Sequence, residues 1–222
     1  MNVTNSADRA AHPAASGIGL AIALFGLPVV VSGFRLITGE SHSNLQVLSR
    51  ELVIFALLGL MLWLVTAWER LPLKSIGLNV NRLGRSILWG LLLAVISFAT
   101  TVCLYLLLKH FGVDLGGSDK NVFHPSLWVV TFMMVRAGVV EEAFYRGYAI
   151  ERLQSLTGSR WVAGLAPLIV FAAFHYRQGP GGVIAVFILG AVMTLFYMKR
   201  RDLVANMTGH FLVDFIFNVI LR

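Results

Sequence analysis

Charge is scarce in this chain. Among 222 residues there are 18 Lys and Arg and 11 Asp and Glu, 13% of the total, too few polar groups to clothe one water-soluble domain of that length. Cysteine is scarcer still. Cys103 stands alone, which excludes an intrachain disulfide and any cysteine-cluster metal site, and its place inside an apolar run marks it as a small packing residue. There is no internal repeat, no low-complexity tract and no His-Glu-x-x-His string, so the helix of the common zinc proteases is missing. What fills the chain is apolar: 57% falls in the AVILMFWYC class and the mean hydropathy is +0.77. With glycine counted in and tyrosine out, roughly 64% is apolar, against a usual value of about 45–50%. The same excess of Leu, Val, Phe and Ile excludes disorder.

The placement of the charges says more than their number. Charge-free stretches run for 25 residues (Ala10 to Phe34), 17 (Leu52 to Trp68), 23 (Ser86 to Leu108), 15 (Asn121 to Val135), 16 (Trp161 to Tyr176) and 21 (Gln178 to Met198). A bilayer-crossing helix needs about 20 mainly apolar residues, and in lipid the backbone must satisfy its own polar groups, which helices do. The expected fold class is therefore all-α, a polytopic transmembrane helical bundle of about seven to eight helices. Its spans fall near 16–36, 46–68, 86–109, 125–155, 160–176, 181–198 and 203–221. Residues 1–15 form a polar N-terminal tail and 16–222 a single integral-membrane domain. A retained first helix is expected rather than a cleaved signal peptide, since the apolar run continues past Pro28 without a small-residue cleavage pattern.

Connections two, four and six, with the N-terminal tail, hold ten Lys and Arg; the other side holds six. That asymmetry predicts a cytoplasmic N-terminus. It also accounts for the net charge of +7: the basic residues sit at helix ends beside anionic headgroups, so the lipid bilayer is the expected partner and nucleic acid is not. Oligomeric state is not legible.

Chemistry has to be sought among ionisable residues that a membrane should not contain. An Asp, Lys or Arg at a helix centre costs about 2.5–3.5 kcal/mol on insertion scales, so such groups must pair or line a hydrated cavity. The fourth span carries Arg136, Glu141, Glu142 and Arg146. Glu142 and Arg146 are four apart and can pair on one face; Glu141 is offset from them and left for another task. Arg136 is expected to be neutralised by Asp214 across the bundle. His175 ends an apolar span as Phe171-Ala-Ala-Phe-His175, and His210 and Asp214 lie one turn apart in the last span, with Asn218 continuing their face. Converged in one wet pocket, these groups suit hydrolysis: a carboxylate deprotonates water, a histidine orients it, and a second His with Asp stabilises oxyanion charge. Each also has a plainer use, as an ion pair, an interfacial histidine or packing; Phe171, Phe174 and the loop residue His124 are assigned to packing or surface. By rise per residue Glu141 and His175 share a depth, whereas His210, about 10 Å into its span, does not.

The strings Glu141-Glu142-Ala-Phe-Tyr-Arg146, Phe171-Ala-Ala-Phe-His175 and His210-Phe-Leu-Val-Asp214 resemble the ordered motifs EExxxR, FxxxH and HxxxN/D of the CPBP family, which groups type II CAAX prenyl proteases with Abi intramembrane proteases. The resemblance covers a motif-bearing core at 125–221, and Leu73-Lys-Ser-Ile-Gly77-Leu78 resembles the family's usual connection before its third span. It implies an intramembrane endopeptidase acting on a membrane-associated or lipidated peptide or protein substrate. By that resemblance Glu141 is the general base and His175 positions water. Glu142 and Arg146 organise the site, and His210 with Asp214 holds the oxyanion. Asp214 stands where the eukaryotic prenyl proteases have Asn; an ionised Asp accepts but cannot donate, so it orients His210 or is protonated. A glutamate-type mechanism with no required cofactor is expected. Zinc is the other possibility, and Glu141, His175 and His210 would then be its ligands. The competing class is a non-enzymatic membrane scaffold or a proton- or ion-conducting protein using the same buried charges.

Overall fold

The computed structural model describes residues 13–113 and 123–221; residues 1–12, most of the expected polar tail, and residues 114–122 lie outside them. The described residues form seven helical rods and no β-strand. We label them α1 (Pro13–Thr38), α2 (Asn44–Trp68), α3 (Leu83–His110), α4 (127–157), α5 (Arg160–Ala173), α6 (Gly179–Arg200) and α7 (Leu203–Ile220). The rods fall on the seven expected spans. Five of them, α1, α2, α3, the α6 segment and α7, are long and apolar enough to cross a membrane, whereas α5 is a shorter apolar helix.

Local sequence sets the rod ends. Ser43, Ser159 and Asp202 each accept from a backbone amide in the first turn that follows, Gln46, Val162 and Ala205, the capping use that short polar side chains serve best. Gly158 stops α4 at φ +67°, a left-handed position that favours glycine. Between rods, outward faces remain apolar, as a lipid-facing surface requires: Leu88, Val95 and Leu106 of α3 and Leu195 of α6 are exposed.

Two features place the site. α7 is the central rod, packed along α3 and against the middle of α4. Its start is sunk into the bundle: Leu203 is fully buried, its N–H donates to Gly77 O at 3.0 Å, and its side chain rests against Gly147. A start packed inside the bundle accounts for a His210 nearer the middle of the helices than its distance along α7 suggests. The second feature was not foreseen. α4 is an α-helix over Leu127–Arg136, widens into π-helical turns over Ala137–Tyr148, and returns to α-helix over Ala149–Thr157. A turn closed by i→i+5 hydrogen bonds brings residues five apart onto one face, and such turns gather at functional sites.

Candidate active site

Gly138 opens the wide turns and lies flush on α7. A side chain there would start 2.9 Å from Phe211 N and 3.0 Å from Met207 O, so glycine alone permits this approach, the small-residue packing typical of membrane helices. One turn onward the approach delivers Glu142 to α7. Glu142 is fully buried and both its oxygens are engaged. Oε1 takes Arg146 Nη1 at 3.0 Å and His210 Nδ1 at 2.7 Å; Oε2 takes Asn206 Nδ2 at 3.0 Å. Because an ionised carboxylate only accepts, Nδ1 of His210 carries the hydrogen, and Nε2 faces Asp214 Oδ2 at 3.4 Å. Asn218 donates from Nδ2 to the Asp214 carbonyl at 2.9 Å.

Arg146 joins three rods. Besides Glu142 it reaches Gly190 O of α6 at 3.3 Å, and its guanidinium lies 4.6 Å over the Phe171 ring of α5. Phe171 also meets Tyr145 edge-on at 5.0 Å and His175 at 4.8 Å between ring centroids. Phe171, assigned to packing, thus connects the arginine to the histidine. His175 Nδ1 lies 2.7 Å from Phe171 O. A carbonyl only accepts, so Nδ1 donates, and in the neutral ring Nε2 keeps its lone pair. All three motifs therefore meet, through Glu142–His210 on one side and Arg146–Phe171–His175 on the other.

Glu141 turns elsewhere. Its Oε1 accepts from Arg136 Nη1, five residues back across the wide turn, and among the described residues its Oε2 accepts no hydrogen bond. Its side chain is 14% exposed, against 0% for Glu142. Arg136 is not neutralised by Asp214, as expected from the sequence. Its partners are Glu141 and, through Nε at 2.6 Å, Glu51 of α2. The reason is that α2 packs beside α4 and sets the buried Glu51 carboxylate on Arg136, while Asp214 faces His210.

Glu51, Asn206 and Gly190 were not singled out from the sequence. Asn206 had a signal, since it precedes His210 by one turn as Asp214 follows it. Glu51 had none, because Arg50-Glu51 reads as a charged helix end. His124 and Asn218 border a cavity of ≈ 280 Å³ between α4 and the end of α7, with Met133 and Met134 on its apolar wall.

The proposed zinc ligands do not fit a metal as they stand. Among the described residues no three His, Cys, Asp or Glu side chains are grouped to hold an ion. Glu141 is tied to Arg136, His175 to Phe171 O, and His210 lies between Glu142 and Asp214.

Residues 123–216, which contain all three motifs, match the family described as Type II CAAX prenyl endopeptidase Rce1-like. A Bacillus subtilis (strain 168) protein called Uncharacterized protein YpbD is 27% identical over 141 residues, covering 62% of this chain and 70% of that protein. No solved structure matches the chain. The resemblance read from the motifs is borne out over the matched stretch, residues 123–216, and five apolar helices long enough to cross a bilayer make the chain an integral membrane protein.

Proposed function

We propose, from the premise that residues 123–216 form an Rce1-like endopeptidase segment, that this protein hydrolyses a peptide bond in a membrane-associated or lipidated substrate with water activated by Glu141. One observation carries the reading: of two adjacent carboxylates, Glu142 is fully buried with both oxygens bound, whereas Glu141 is partly exposed and, among the described residues, keeps one oxygen without a hydrogen bond. Two neighbouring acids held in such different surroundings suit two roles, one organising and one moving protons.

In this mechanism Oε2 of Glu141 takes a proton from water while Nε2 of His175 accepts the other water hydrogen and aims the oxygen. The nascent hydroxide adds to the scissile carbonyl carbon. With a proton on Nε2, favoured by the facing Asp214 carboxylate, His210 donates to the resulting oxyanion while Glu142 holds its ring through Nδ1. Collapse breaks the C–N bond, and Glu141 returns its proton to the departing amine. Glu142, Arg146 and Asn206 hold the geometry. Atoms and charge balance without a cofactor, and no step runs through a metal. The excess of Lys and Arg in the tail and the even-numbered connections supports a cytoplasmic N-terminus.

The test is a comparison of membrane peptides and protein C-termini in cells producing the native chain or Glu141→Gln. The expected result is a precursor that accumulates only with the variant. Identical peptide sets from the two would overturn the reading, and ion flux lost in Glu141→Gln without any uncut precursor would favour a conducting protein instead.

A further inference from the structure

We propose that Glu51 of α2 is a positioning residue for Glu141, acting through Arg136; the inference rests on the reading of Glu141 as the base. Glu51 belongs to none of the three motifs and lies outside the matched residues 123–216, yet it is a carboxylate with no exposed surface in a membrane helix. Such a group is retained only where it is fully paired. It is. Arg50 holds Oε1 through Nε at 3.0 Å and Nη2 at 2.7 Å, and Arg136 Nε meets Oε2 at 2.6 Å. Arg136 then extends Nη1 to Oε1 of Glu141.

The four side chains make a row of alternating charge, Arg50, Glu51, Arg136, Glu141, that crosses from α2 to α4. A guanidinium is planar and its donors are fixed relative to one another. Holding Nε on Glu51 therefore sets the plane of the whole group and with it the direction of Nη1. That direction determines which oxygen of Glu141 is occupied and which is left open. A pair serving only to join two helices would need Glu51 and Arg136 alone; the second arm, reaching the base, is what gives the row a role in the reaction. The wide turn of α4 completes the arrangement, because residues five apart would not share a face in an α-helix. Without Glu51, Arg136 is free to rotate and Glu141 loses its fixed aim.

Two variants separate aim from attachment. Arg136→Lys keeps a cation for Glu51 but is a point charge that cannot hold both carboxylates in one plane. Glu51→Gln removes the anchor. The probe is the synthetic junction peptide of the precursor that accumulates with Glu141→Gln, cleaved by purified full-length protein in detergent. Both variants should lower kcat on the order of 10- to 100-fold with KM changed by no more than about twofold; Arg136→Lys, which keeps the cation, should unfold close to the native temperature, whereas Glu51→Gln should unfold lower because Arg50 and Arg136 lose their shared carboxylate. The double variant should be no slower than the worse single one, since both break the same link. A folded Arg136→Lys protein with native kcat would overturn the inference while leaving Glu141 as base; so would an Arg136→Lys protein that fails to fold, which would make the row a strut. If no precursor distinguishes the native chain from Glu141→Gln, the underlying reading fails and this one with it.

Discussion

His210 Nδ1 and Glu142 Oε1 lie 2.7 Å apart, joining the centre of α7 to the wide turns of α4. This contact fixes the imidazole by one edge and leaves the other edge turned toward Asp214. It also explains why the second of the two glutamates sits where no water reaches it. Glu142 is a receptor for an arginine, a histidine and an asparagine from two rods, and its removal strands all three.

Glu142→Ala should therefore cost stability as well as activity. Breaking one member of a buried charge pair costs about 3–5 kcal/mol, enough to lower the unfolding temperature by several degrees or prevent accumulation of folded protein. Glu141→Gln, at a partly exposed position with one bonded oxygen, should leave the unfolding temperature nearly unchanged and abolish processing. Thermal unfolding in detergent beside precursor cleavage tests the contrast. Equal losses of stability in the two variants would contradict the division of roles.

Asn206 gives a finer version of the same test. Its Nδ2 donates both to Glu142 Oε2 and to Met193 O, each at 3.0 Å, from a fully buried position. Asn206→Leu leaves a buried carboxylate oxygen without a donor, at about 1–3 kcal/mol. Asn206→Asp is expected to be worse, because it sets a second carboxylate against Glu142. A rank order of native, Leu, Asp in unfolding temperature supports the assignment; a stable Asp variant would refute it.

The fold was legible because membrane solubility writes itself into the chain as charge-free runs: α1, α2, α3, α5 and α6 follow those runs, while α4 extends well past its own and α7 carries Asp214. The Glu142–Arg146 pair was legible for the same reason of spacing. What was not legible depends on geometry that spacing alone does not carry. Arg136 and Glu141 are five apart, a separation that an α-helix would splay, and nothing local announces that 137–148 is wider. Glu51 and Arg152 look like helix-end charges and are buried instead, because their partners come from rods distant in the chain. The sunken start of α7 depends on Leu203 finding Gly77 and Gly147, a tertiary event with no trace in hydropathy.

Asp214 offers a prediction about the oxyanion. It is i+4 to His210, and its side chain is 31% exposed, so it can be replaced without stranding a buried charge. Asp214→Asn keeps a polar partner for Nε2 and adds a donor; it should retain cleavage within about tenfold of native. Asp214→Leu leaves Nε2 without a partner and should lose on the order of 10²-fold. Steady-state cleavage of the junction peptide reads both. Equal activity in Asn and Leu variants would remove Asp214 from the mechanism.

The last prediction concerns a buried cluster outside the three motifs. Glu69, at the close of α2, is buried and receives Ser16 Oγ at 2.9 Å, Tyr148 Oη at 2.7 Å and Arg152 through Nε and Nη2 at 2.9 and 2.7 Å. Arg152 donates further to Ser75 Oγ at 3.1 Å and lies 4.9 Å over the Tyr148 ring. One carboxylate thus ties α1, α2, α4 and the connection before α3 together, with none of the three motifs involved. Arg152→Met leaves Glu69 charged and only partly paired, so it should destabilise by about 3–5 kcal/mol. Pairing it with Glu69→Leu removes the stranded charge, and the double variant should recover much of that loss, since apolar packing can replace a buried ion pair at little cost. Because Tyr148 follows Glu142 by six residues on the same rigid rod, whatever fraction of Arg152→Met remains folded should cleave with a kcat near native. Unfolding temperature and kcat measured on the same preparations decide it: a folded Arg152→Met protein with a collapsed kcat would mean that this lock is coupled to the site, not merely to the fold.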